Sequence, residues 1–125
     1  MSHSYKQLIV WQKAKTLAVE TYRLTERFPK AELYGLTSQL RRAAVSIASN
    51  IAEGQGRLTK GEFLQFLGHA RGSLLELETQ FAIAVDLKLL SESDHQALEV
   101  RTSEVLRLTN ALIESLRPSA KAAGL

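Results

Sequence analysis

Apolar residues recur along this chain at alternating steps of three and four, the repeat that gathers them on one face of an α-helix. In the first segment the series is Val10, Ala14, Leu17, Thr21, Leu24 and Phe28, and Pro29 closes it. Proline lacks an N–H and pushes its predecessor out of the helical region. After Gly35 a second series, Leu36, Leu40, Ala43, Ile47 and Ile51, runs to Gly54 and Gly56, which are read as a left-handed C-terminal cap. Thr59 followed by Glu62 is a capping-box start, and Phe63, Leu67, Ala70, Leu74, Leu77, Phe81 and Ala84 extend the third series. A fourth, with Leu98, Val105, Leu108, Leu112 and Leu116, is introduced by Ser91 with Asp94 or Ser93 with Gln96, and stopped by Pro118.

The pattern therefore predicts helices over about 8–28, 36–54, 60–89 and 93–117, with a frayed tail over 118–125. Short connections force neighbouring helices to run antiparallel, so the expected fold is all-α: an up-down-up-down four-helix bundle forming a single domain over 1–125.

A second pattern lies on the backs of two helices. Ser38, Arg42, Val45, Ser49 and Ala52 line the side of the second helix away from its apolar stripe, and Gly61, Gly68, Gly72, Leu75 and Thr79 do the same on the third. Solvent-facing backs usually carry Lys, Glu and Arg. Glycine inside a helix costs roughly 0.5–1 kcal/mol relative to alanine. These backs are accordingly read as a subunit interface, with Ser38, Arg42, Val45, Ser49, Gly68, Gly72 and Leu75 as its members; an ordinary small-residue surface is the plain alternative.

Charge adds an asymmetry. Residues 1–60 carry ten Lys/Arg against four Glu, whereas residues 61–125 carry six against nine Asp/Glu, within an overall net charge of +3. Either the basic half faces an anionic partner, or the halves complement each other within one bundle or across a subunit contact. Lys13, Arg23 and Arg27 share a stripe on the first helix, and Arg57 and Lys60 flank the second connection. These five are the candidate phosphate contacts. Trp11 and Tyr22, on one side of the first helix, are expected to pack rather than to stack on bases.

The chemistry of catalysis is poorly represented. The chain has no cysteine and three histidines, His3, His69 and His95, and no Glu-x-x-His pair of the di-iron type. Glu62, His69 and Glu76 share a stripe, but neighbours in it are about 10.5 Å apart along the axis, too far to hold one ion. The Gly54–Arg57 segment lacks the strand and the GK[ST] of a phosphate loop. The expectation is a non-enzymatic protein without metal or cofactor. No apolar run approaches the roughly 18 residues of a membrane span, and the start MSHSYKQ lacks a signal-peptide stretch, so a cytoplasmic location is expected.

LIVWQKA near the start, FPKAELYGLTSQLRRAAVSIASNIAEG through the second helix and FLQFLGHARGSLLELETQ in the third resemble the four-helix-bundle family encoded in intervening sequences of bacterial 23S rRNA genes. That family is similar to the accessory protein of diversity-generating retroelements, a homopentameric bundle whose basic surface binds nucleic acid and a reverse transcriptase. Trp11, Arg41, Arg42, Ser46, Asn50, Glu53, Gly54, Arg71, Gly72, Glu76 and Glu78 match the family pattern. Ala48 stands where proline is frequent, and Gln55 where an aromatic often precedes the Gly-Arg pair. The resemblance implies a homo-oligomer, pentameric, that binds RNA or DNA with or without a protein partner; the rival is a structural or protein-interaction scaffold without nucleic acid. Arg41, Arg42, Asn50, Glu53, Glu76 and Glu78 are read as a structural polar network. Arg42 in particular, set among Ser, Val and Ala, is expected to find a carboxylate in Glu76 or Glu78.

Overall fold

The computed structural model describes residues 4–118. Four helices follow one another: α1 (Ile9–Thr25), α2 (Leu36–Gln55), α3 (Lys60–Asp86) and α4 (Glu92–Leu116). Single 3-10 turns at Tyr5–Gln7 and Lys30–Glu32 precede α1 and α2. Each helix packs against two neighbours in the cyclic order α1–α2–α3–α4, and neither diagonal pair brings its backbones together. Cross-helix contacts give the directions. Ser46 meets Ser73 while Gln39 meets Gln80, and Lys13 meets Glu104 while Arg27 meets Asp94, so α2 runs against α3 and α1 against α4. The predicted antiparallel bundle is the observed one; the residues of the tail beyond Pro118 lie outside the described part.

The seams predicted for the first three helices form the core, with Leu17, Leu40, Ile47, Ile51, Leu67, Leu74 and Leu77 fully buried. The fourth differs. Its buried line is Leu98, Thr102, Val105, Thr109 and Ile113, whereas Leu108, Leu112 and Leu116 are only half-buried. Threonine serves as a core residue here because its hydroxyl is satisfied within its own helix: Thr102 donates to the Leu98 carbonyl and Thr109 to that of Val105, both at 2.7 Å. Thr21 in α1 does the same with Leu17 at 2.8 Å.

The helix ends correct the sequence reading in three places. Helix α1 stops at Thr25, three residues early, since Phe28 N–H turns back to the Thr25 carbonyl at 3.0 Å in a tighter bond and its ring tucks into the core. Gly54 is no cap. It is a buried residue within α2, and Gly56 ends that helix at φ −81°, a right-handed conformation. What Gly54 supplies is proximity: a Cβ there would sit 2.8 Å from Phe66 Cβ and 2.9 Å from Phe63 Cδ1 on α3.

Helix α3 ends at Asp86, not near Leu89, in a Schellman turn in which Lys88 takes the left-handed position at φ 62°. Leu89 N–H reaches the Ala84 carbonyl and Lys88 N–H that of Val85, each at 2.9 Å. The predicted N-caps hold. Thr59 Oγ1 accepts from Glu62 N–H and Ser91 Oγ from Asp94 N–H, both at 3.1 Å, although the Glu62 carboxylate takes the Thr59 hydroxyl rather than returning to the backbone.

Candidate functional site

The five predicted phosphate contacts are all exposed, and four have carboxylate partners. Lys13 reaches Glu104 at 3.5 Å and Arg27 reaches Asp94 at 3.6 Å, both across the α1–α4 seam. Arg23 lies 3.9 Å from Glu20 on its own helix. Arg57 pairs with Glu53 at 2.9 Å, its guanidinium 4.6 Å above the Phe66 ring. The basic and acidic halves of the sequence thus complement each other inside one bundle, at least through Lys13 and Arg27. The stripe is divided as a result: Lys13 and Arg27 lean toward α4, while Arg57 lies in the α2–α3 turn and Lys60 opens α3.

The opposite flank of α1 is different. Between α1 and α2 lies a groove of about 520 Å³, floored by Ala18, Val19, Val45, Ala48 and Ala52 and edged by Trp11, Tyr22, Lys15 and Arg23. Tyr22, Val19 and Val45 are each 42% exposed, a level that marks apolar surface left open beside a core. Trp11 packs edge-on to Tyr5 with centroids 5.1 Å apart, and the Lys15 ammonium lies 5.2 Å from its ring. A second hollow continues past Tyr22 to Tyr34, Ser38, Arg41 and Arg42. No carboxylate lines either hollow. Four cations, Lys15, Arg23, Arg41 and Arg42, therefore share one face with aromatic rings.

Lys15, Tyr5 and Tyr34 were missed in the sequence. A signal existed for the first: Trp11, Lys15 and Tyr22 fall on one helical side adjoining the apolar seam, a place where a solvated helix has no need of two rings.

Arg41 is tied down. Its Nε donates to Thr25 Oγ1 at 2.9 Å, its Nη2 to the Tyr22 carbonyl at 3.3 Å, and its guanidinium lies 4.6 Å from the Tyr22 ring centroid. Arg42 does not pair with Glu76 or Glu78 as expected. It is exposed beside Tyr34 and Ser38 on the flank facing α1, whereas Glu76 stands on α3 and takes a long 3.5 Å bond from Gln80. The single polar network predicted is several local ones. Asn50 donates to the Ser46 carbonyl at 2.8 Å and to Ser46 Oγ at 2.9 Å, Ser73 joins Ser46 at 3.0 Å, and Glu53 serves Arg57.

The small-residue backs are open, but they do not form one patch. Val45 and Ser49 border the α1–α2 groove, with Ser38 and Arg42 in the hollow beyond it. Gly68, Gly72 and Leu75 border a separate groove with Ile113 of α4 and Arg117 just beyond its end. A Cβ at Gly61, Gly68 or Gly72 would meet nothing within 4 Å, so packing within the chain does not require glycine at these positions. Among the described residues no group of three or more His, Asp or Glu is placed to hold a metal, and no helix is long and apolar enough to cross a membrane.

Comparison with known proteins bears on this arrangement. The crystal structure of a protein of unknown function from the S23 ribosomal protein family of Bacteroides thetaiotaomicron has the same fold, with a TM-score of 0.80 at 19% identity over 85% of this chain and 96% of that one. No curated protein matches the sequence. The sequence model of the 23S rRNA-intervening sequence proteins matches residues 6–111, from the turn before α1 into the last turns of α4, and the chain belongs to that family.

Proposed function

We propose that this protein is a non-enzymatic, homo-oligomeric scaffold of the cytoplasm, pentameric by its family resemblance, that binds RNA or DNA through a basic surface. The observation that carries the reading is the α1–α2 face, where Lys15, Arg23, Arg41 and Arg42 lie together with no carboxylate among the lining residues. Arg23 is the member of the predicted set that lies on this face; Lys60 opens α3 and is not among the lining residues. Lys13, Arg27 and Arg57 move out of the contact set, because Lys13 and Arg27 each have a carboxylate on α4 and Arg57 is held by Glu53 at 2.9 Å and lies over the Phe66 ring. The small-residue back of α3, with Gly68, Gly72 and Leu75 and open space at both glycines, is the proposed subunit contact, since Ser38, Arg42, Val45 and Ser49 line the basic face itself. A ring repeats the basic face in every subunit, so weak contacts add along a polyanion.

One observation favours the second reading, a protein-interaction scaffold without nucleic acid: four of the five predicted contacts are satisfied within the chain. Fluorescence anisotropy with single- and double-stranded RNA and DNA at low salt separates the two. Binding that weakens steeply with salt is expected. No detectable binding to any of the four contradicts the proposal and leaves the second reading.

A further inference from the structure

We infer that the α1–α2 groove takes single-stranded nucleic acid, with bases against Trp11 and Tyr22 and phosphates against Lys15, Arg23 and Arg42. This rests on the nucleic-acid reading above and adds the form of strand the groove selects. The reason is the floor. A duplex buries its bases and offers a protein mainly phosphate and sugar, for which a flat polar surface with flexible cations suffices. Here the cations edge an apolar channel of about 520 Å³. Such a channel gains from covering flat, poorly hydrated surface, and an unpaired strand supplies that surface on its bases and charge on its backbone.

The rings are also arranged for it. The Arg41 guanidinium lies 4.6 Å from the Tyr22 centroid, held by Thr25 at 2.9 Å, so ring and cation form a fixed two-layer platform that a base can extend. The Lys15 ammonium stands 5.2 Å from the Trp11 centroid, where it can serve a phosphate while the ring meets the adjoining base. Eleven residues of helix separate Trp11 from Tyr22, about 16.5 Å of rise. That equals roughly five nucleotides at the 3.4 Å spacing of a stacked strand, and fewer if the strand is stretched. No carboxylate lines this path, and the one that pairs with a cation on it, Glu20, holds the exposed Arg23 only at 3.9 Å. An acidic amphipathic peptide is the other occupant with the right charge; the paired ring–cation layers favour planar bases over it.

Trp11 is the chain's single tryptophan, so its emission reports from the groove itself. The intact protein is titrated with oligothymidylate of about fifteen residues, with an abasic strand and a duplex of equal length, and with polyglutamate. Quenching by oligothymidylate at least about fivefold tighter than by the abasic strand or the duplex is expected. Tyr22→Leu should weaken oligothymidylate roughly 5- to 150-fold while leaving the abasic strand unchanged, and Tyr22→Phe should restore it. Arg23→Gln should weaken both strands. Circular dichroism checks that each variant stays helical. Equal affinity for all three nucleic acids overturns the inference while leaving the nucleic-acid reading intact. A polyglutamate response equal to that of oligothymidylate overturns it in favour of an acidic protein partner. Absence of binding by every nucleic acid removes the reading beneath it as well.

Discussion

Gly54→Ala tests the packing of α2 on α3, because two effects of similar size oppose each other there. Replacing a helical glycine by alanine ordinarily stabilises by about 1 kcal/mol, since glycine gives up more backbone freedom on folding. At Gly54 the new methyl would lie 2.8 Å from Phe66 Cβ and 2.9 Å from Phe63 Cδ1, against the 3.4 Å at which ordinary contact begins. The Phe63 ring can turn aside. Phe66 Cβ cannot, as it is fixed to the α3 backbone, so the two helices must part locally by about 0.6 Å. Overpacking of this kind costs about 1–3 kcal/mol, and the upper half of that range applies where the obstacle is tied to backbone. The net expectation is destabilisation by about 1–2 kcal/mol. Urea unfolding followed by circular dichroism, at one fixed protein concentration, should show the midpoint lowered by on the order of 0.5–1 M with unchanged slope. Gly68→Ala is the control. No atom of the chain lies within 4 Å of its added methyl, so at a protein concentration low enough for the chain to be monomeric it should gain about 0.5–1 kcal/mol. If Gly54→Ala raises the midpoint as Gly68→Ala does, the close approach of α2 to α3 is refuted.

Three other outcomes follow from named contacts. Arg41→Ala should cost about 1–2 kcal/mol in the same assay, through loss of the Thr25 bond and the Tyr22 layer, and Arg41→Lys should recover little, since an ammonium cannot reproduce the Nε geometry. Lys88→Gly should stabilise by about 0.5–1 kcal/mol because φ 62° is free of cost only to glycine; a loss of stability contradicts the Schellman ending of α3. Gly72→Leu should reduce assembly size by light scattering while helicity is kept, as a leucine there meets open space within the chain; an unchanged assembly defeats the placement of that contact.

Much of the bundle was legible because apolar spacing and caps act locally. Leu17, Ile47 and Leu74 follow from periodicity alone, and Thr59 and Ser91 announce their helices by side-chain chemistry. What escaped depends on contacts distant in sequence or on residues with two roles. Thr102 and Thr109 read as polar, yet a hydroxyl bonded to its own helix leaves a methyl for the core. Gly54 resembled a cap, since sequence does not say that Phe63 and Phe66 of another helix press against it. Lys88 gave no sign of a left-handed turn, which glycine would have marked.

The candidate site was less legible for the same reason. Counting cations finds Lys13 and Arg27, but only the fold sets Glu104 and Asp94 opposite them and leaves Lys15 and Arg42 without such partners on the α1–α2 face. Charge bookkeeping by segment cannot separate a cation available to a ligand from one already paired.

Ultraviolet cross-linking of the intact protein to single-stranded RNA or DNA, followed by mass spectrometry of its peptides, tests the central claim most directly. Cross-links are expected in the segments holding Trp11, Tyr22 and Tyr34, which border the basic α1–α2 face. Cross-links confined to α4, around Glu99 and Glu104, or to the α3 stripe of Gly68 and Gly72, would contradict it.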